Sequence, residues 1–78
     1  MKIEWSPAAR ASARRYIEDQ DGMCAIGVAV IRLAGDPYLP EAFHLGESHR
    51  LRVGQYRVVY IVEGGLITVE RVDRVTET

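Results

Sequence analysis

The sequence predicts a single α+β domain over residues 1–78, of element order β-α-α-β-β-β, with a helical hairpin packed on one face of a small antiparallel sheet. Three observations predict it. Apolar residues in the first half recur at helical spacing, after residue 48 the period changes to two, and glycine-led turns separate the later apolar runs. A chain of 78 residues buries only about 60% of the surface it exposes when unfolded, so the core is thin and leaves no room for a second domain.

In chain order, Lys2-Ile3-Glu4-Trp5 alternates and reads as a brief strand. Ser6-Pro7 marks a helix start, serine as N-cap and proline in the first turn. Ala9, Ala13, Tyr16 and Ile17 give that helix an apolar face to about Glu18, with Arg10, Arg14 and Arg15 opposite. Asp19-Gln20-Asp21-Gly22 reads as a turn. A second helix carries Met23, Ile26, Val30 and Leu33 on one stripe and stops at Gly35, before Asp36-Pro37. Residues 36–47, with Pro37, Pro40 and Gly46, read as an irregular loop. His49 to Val53 and Tyr56 to Val62 are strands joined by Gly54-Gln55, a two-residue turn of type II′. Glu63-Gly64-Gly65-Leu66 turns into a last strand running to about Val75.

Composition excludes several classes. Ten Lys plus Arg against eleven Asp plus Glu give a net charge of −1, which argues against a bulk polycation. The distribution is another matter: Lys2 is the sole lysine beside nine arginines, and Arg50, Arg52, Arg57, Arg71 and Arg74 fall in the last thirty residues. Cys24 alone can form neither an internal disulfide nor a cysteine metal cage. His44 and His49 lack the spacing of a metal site, so neither metal nor cofactor is expected. The start of the chain lacks a signal-like apolar run and no stretch has the length of a membrane span, which makes the cytoplasm the expected compartment.

The Gly54-Gln55 turn fixes a register. It pairs Val53 with Tyr56, Arg52 with Arg57, Leu51 with Val58, Arg50 with Val59 and His49 with Tyr60. Arg50, Arg52 and Arg57 then share one face, while Leu51, Val53, Val58 and Tyr60 share the other. The same count from Gly64-Gly65 pairs Val59 with Glu70 and Arg57 with Val72, which brings Glu70, Val72 and Arg74 to the arginine face. Like charges facing each other across a ladder are unfavourable. A phosphate-bearing partner is therefore the functional reading of the cluster, and a solvated face with arginine–carboxylate pairs is the alternative.

The segment His49-Arg50-Leu51-Arg52-Val53-Gly54-Gln55-Tyr56-Arg57-Val58-Val59-Tyr60 resembles the Leu-Arg-Val-Gly-x-Tyr-Arg-Val-Val-Tyr strand pair of the RelE/ParE toxin superfamily. The Trp5-Ser6-Pro7 opening, the helical hairpin, the Asp36-Pro37 loop and Ile67-Thr68-Val69 follow in the family's order. The resemblance implies the toxin of a type II toxin–antitoxin pair. RelE-type members cut mRNA on the ribosome, and ParE-type members poison DNA gyrase. It implies a ribosome-dependent mRNA endoribonuclease (an mRNA interferase) that inhibits translation. The alternative is a non-enzymatic gyrase inhibitor, or a degenerate toxin that only binds its antitoxin. Arg52, Arg57 and Arg74 take the positions of catalytic residues, and Arg50, Arg52, Arg57 and Arg71 those that bind RNA phosphate. Implied partners are a cognate antitoxin, forming a hetero-oligomer with the toxin, together with the ribosome and mRNA, and no membrane. Where the family ends in Val-Gly-His-Arg or Val-Gly-Lys-Arg and a later tyrosine, this chain has Val72-Asp73-Arg74-Val75-Thr76-Glu77-Thr78, so Arg74 stands at the His/Lys position.

Overall fold

Strand β1 (Lys2–Trp5) ends where Ser6 turns the chain into helix α1 (Pro7–Arg14). The Ser6 hydroxyl accepts the Ala9 N–H at 3.0 Å, satisfying a donor that the first helical turn leaves free. The structure, a computed structural model, describes residues 1–75. Thr76, Glu77 and Thr78, where the resemblance finds no tyrosine, lie outside the described residues. Helix α1 is shorter than its apolar spacing predicts, because residues 15–18 tighten into turns with Tyr16 N–H bonded to the Ala13 carbonyl and Ile17 N–H to that of Arg14. Ile17 is consequently exposed. Asp19 belongs to the next element: its carboxylate accepts the Gly22 N–H at 3.0 Å, so helix α2 (Gln20–Gly35) starts at Gln20, and residues 20–22 are its first turn. Helix α2 buries Ile26, Ala29, Val30 and Leu33 against the sheet, at i, i+3, i+4 and i+7.

The segment read as a loop contains a further strand, β2 (Phe43–Leu45), which forms a two-residue hairpin with β3 (Ser48–Val53). Three residues between two prolines and a glycine are too few to display a period, which is why the sequence hides it. Strands β4 (Tyr56–Glu63) and β5 (Leu66–Arg74) complete a five-stranded sheet of order β1-β5-β4-β3-β2. β1 runs parallel to β5 and the other pairs are antiparallel, so the sheet is mixed, not wholly antiparallel. Both helices cover one face. There Leu33, Leu51, Val58, Tyr60, Ile67, Val69 and Val72 form the centre of the core.

The β3–β4 register matches the turn-based count at every pair. Gly54 takes φ 59° while Gln55 does not go positive, as a type II′ turn requires. The β4–β5 ladder does not match. It holds from Glu63↔Leu66 to Tyr60↔Val69, then resumes at Val59↔Arg71, leaving Glu70 as the extra residue of a β-bulge. Beyond the bulge every side chain changes face. Val72 pairs with Val58 and is buried, Arg74 pairs with Tyr56 on the helix side, and Arg71 and Asp73 come to the arginine face.

The bulge is held by α1. Ser6 N–H bonds the Val69 carbonyl, the Ser6 hydroxyl donates to the Glu70 carbonyl at 3.0 Å, and the Ser12 oxygen accepts Val72 N–H at 2.9 Å. Arg74 N–H reaches the Tyr16 hydroxyl at 3.3 Å. Once β1 ends, these three hydroxyls do for the edge of β5 what a neighbouring strand would do.

Candidate nucleic-acid interface

On the sheet face away from the helices, β3 supplies Arg50 and Arg52, β4 supplies Arg57 directly opposite Arg52, and β2 supplies Phe43 opposite Arg50. Arg50, Arg52, Arg57, Phe43 and Glu41 line one open depression of about 350 Å³. The sequence brings the three arginines together, and so does the fold. Phe43 and Glu41 are absent from the sequence reading because their segment reads as a loop.

The electrostatics of the depression are strongly one-sided. Arg52 is braced by its Nε donating to the Gly54 carbonyl at 2.6 Å. Among the described residues Arg50 and Arg57 make no ion pair, and the Nε of Arg50 is shut off from solvent with no acceptor. A buried donor without an acceptor is costly, and an anion at this position would lessen the cost. Two nearby carboxylates pair with other arginines: Asp73, opposite Arg57 in the ladder, accepts from Arg71 Nε at 2.8 Å, and Glu41 meets Arg32 at 3.4 Å. Arg71 thus lies on this face, paired through its Nε with Asp73. Val59 is 2% exposed although it points away from the core. Its ladder neighbours are Arg50 and Arg71, whose aliphatic stems can cover it while their charged ends stay wet.

Arg74 is elsewhere. The bulge sends it to the helix side, where its Nη2 donates to the Tyr56 hydroxyl at 2.9 Å and its guanidinium lies over the Tyr16 and Tyr56 rings at 5.2 and 5.4 Å. The Tyr56 hydroxyl in turn donates to Asp19 Oδ2 at 2.6 Å. That hydrogen bond, with the Gly22 N–H next, holds the Asp19 carboxyl below its ordinary value, and the bond to Tyr56 raises Arg74. The sequence-predicted catalytic set is therefore split: Arg52 and Arg57 stand together, and Arg74 ties the end of β5 to the start of α2.

A second group lies at the opposite end of the helix-side face. His49 is 8% exposed and stacked between His44 (centroids 4.4 Å) and Tyr60 (5.1 Å), with Tyr38 edge-on at 5.7 Å. Burial, and secondarily the neighbouring His44, holds His49 below its ordinary value; burial raises Tyr60, whose hydroxyl donates to the Pro37 carbonyl at 3.0 Å. Tyr38, His44 and His49 border a cavity of about 730 Å³ that also touches Glu47 and Glu63. Among the described residues no group of three or more His, Cys, Asp or Glu is placed to hold a metal ion, and Cys24 is exposed. No helix of the described residues is long and apolar enough to cross a membrane.

No family model matches this chain, and no curated protein matches it. Solved structures do. A chain of the chromosomal ParDE toxin–antitoxin system from P. aeruginosa is similar over 97% of this chain and 97% of its own, with TM-score 0.74 and 18% identity. A chain of the toxin–antitoxin complex RelBE2 from Mycobacterium tuberculosis is similar over 94% of this chain and 95% of its own, with TM-score 0.65 and 19% identity. The fold is therefore of the RelE/ParE type, two helices on one face of a small sheet, as the strand-pair motif implies.

Proposed function

We propose that this chain is the toxin of a type II toxin–antitoxin pair and acts as a ribosome-dependent mRNA endoribonuclease through its arginine face. The observation that carries this reading is the convergence of Arg50, Arg52 and Arg57 on one depression, clear of the helices, where Arg50 and Arg57 make no ion pair among the described residues. In such a reaction the ribose 2′-hydroxyl gives up its proton to solvent and attacks the adjacent phosphorus, the bond to the 5′-oxygen breaks as that oxygen takes a proton from solvent, a 2′,3′-cyclic phosphate forms, and negative charge grows on the phosphoryl oxygens along the way. Guanidiniums fixed by a sheet stabilise that charge without reorganising, and losing one such group typically costs about 10²–10³ in rate. Arg52 and Arg57 are the transition-state clamps in this reading, Arg50 supports them, and Arg71 makes a peripheral phosphate contact. Arg74 has no place in the clamp.

An antitoxin is the expected protein partner. The groove between the helices, about 410 Å³, is lined by Trp5, Ala13, Ile17, Met23 and Ile26 and rimmed by Arg10 and Arg14. It suits an amphipathic acidic segment that hides Ile17 and pairs with the two arginines.

A second reading is favoured by the split of the catalytic set: a ParE-like gyrase inhibitor needs no phosphate clamp, and with Arg74 committed to Tyr56 the chain offers one cation fewer. Expression of the wild type and of Arg52→Ala/Arg57→Ala, with 5′ ends of cellular mRNA mapped, separates the two. New ends within translated codons that vanish in the variant are the expected result. Growth arrest with intact mRNA and a DNA-damage response sinks the nuclease reading in favour of gyrase.

A further inference from the structure

Phe43 is an anomaly on this surface. It is 64% exposed, on an edge strand, on the face that sheets ordinarily turn to water with polar or charged side chains. Its ring adjoins no other exposed aromatic on that face; its ladder partner is Arg50, and it shares the depression with Arg50, Arg52 and Arg57. An exposed aromatic beside a cluster of guanidiniums is the combination that single-stranded nucleic acid uses, because every base has a face to stack and every nucleotide carries a phosphate.

We infer that the depression takes one nucleotide unit of single-stranded RNA, with its base stacked on Phe43 and its phosphate held by Arg50, Arg52 and Arg57. This rests on the reading of the arginine face as an RNA site and adds a residue that positions the base. The rim orients the unit. Glu41, held by Arg32 at 3.4 Å, puts a carboxylate in the same depression, two residues from Phe43. The carboxylate can accept hydrogen bonds from exocyclic amino groups of a base lying on the ring. Arg50, between the ring and the Arg52–Arg57 pair in the ladder, brings a buried Nε–H that lacks an acceptor among the described residues.

The test uses the full chain, a fluorescein-labelled RNA hexamer and an all-abasic ribose-phosphate hexamer of equal length and charge, titrated at low and moderate salt. The wild type is expected to bind the RNA about ten-fold more tightly than the abasic strand. Phe43→Ala should erase that difference, Phe43→Tyr should keep it, and neither should change the salt slope. Arg57→Ala should weaken binding of both strands and lower the slope by about 0.7. Equal binding of the two strands by the wild type, or a preference that survives in Phe43→Ala, overturns the stacking inference while the arginine site stands. Binding indifferent to Arg52→Ala and Arg57→Ala overturns both. Failure of both strands to bind at low salt overturns the inference and leaves Phe43 as a contact for a protein.

Discussion

Arg57 and Arg74 lie on neighbouring strands of one hairpin and do opposite work. Arg57 faces Arg52 across the ladder and has no ion pair among the described residues, so the fold gains nothing from it. Arg57→Ala should leave the thermal midpoint within a few degrees of the wild type, while the RNA cleavage proposed for this face should fall by about 10²–10³; calorimetry and a ribosome-programmed cleavage assay read the two effects separately. The Tyr56 hydroxyl is the reverse case. It joins Asp19 to Arg74 between the start of α2 and the end of β5, and its ring is 2% exposed. Removing it in Tyr56→Phe should cost about 1 kcal/mol, a midpoint shift of roughly 4–8 °C for a domain of this size, with the activity proposed for the arginine face unchanged. Gly22 serves the same knot. A Cβ there would meet the Asp19 carboxylate and come within 2.6 Å of the Tyr56 ring, so Gly22→Ala should cost about 1–3 kcal/mol although it would favour a helix elsewhere. Sequence alone cannot separate these arginines: both stand on strands at motif positions, and only the face each one takes tells them apart.

At the scale of elements, the two hairpins show what local chemistry can and cannot specify. The Gly54-Gln55 turn dictates its ladder, and every pair from Val53↔Tyr56 to His49↔Tyr60 follows from two residues. The Gly64-Gly65 turn dictates only the pairs nearest to it, because Glu70 is expelled by contacts that come from α1, about sixty residues earlier. Nothing in Val69-Glu70-Arg71 marks that bulge; the signal lies in Ser6, Ser12 and Tyr16, at spacings that put their hydroxyls along the edge of β5. Strand β2 is invisible for a related reason, since it exists through pairing to β3 and not through a pattern of its own. The bulge in turn decides the composition of the candidate site, by exchanging Arg74 for Arg71 and Asp73. Ser12→Ala tests this dependence. It leaves the Val72 N–H without an acceptor beneath a side chain that is almost wholly buried, and should destabilise by about 1–3 kcal/mol. Hydrogen exchange should show the second half of β5 opening first, while the Arg50–Arg52–Arg57 ladder stays protected; uniform loss across the sheet would contradict this role for α1.

For the molecule as a whole, the fold separates two kinds of surface that the net charge of −1 averages away. One face of the sheet gathers arginines, with Arg52 and Arg71 exposed and Arg50 and Arg57 half-buried. The other buries its polar rings, among which His49 is the group most sensitive to pH. It is stacked near-parallel to His44 and Tyr60, with Tyr38 edge-on, and borders a cavity that Glu47 and Glu63 also line. Burial is the larger reason that His49 resists protonation, and the neighbouring imidazole of His44 is the lesser. In the unfolded chain the same ring takes up a proton near its ordinary value of 6.5. Below that pH the unfolded state therefore binds more protons than the folded one, and stability rises with pH across the window. It is fully present above 6.5 and lost as the pH falls toward the depressed value of the folded state. Asp19 adds to the acid loss only lower down, below its ordinary 3.8, so the two contributions separate on the pH axis. The thermal midpoint should accordingly decline when the pH is lowered through 6.5. His49→Phe, which keeps a ring in the stack but removes the titration, should flatten that decline. His44→Phe should flatten it in part, because it removes only the lesser cause. A wild-type midpoint that is level or rises on acidification from pH 7 to 5 would show that the stack tolerates a charged imidazole.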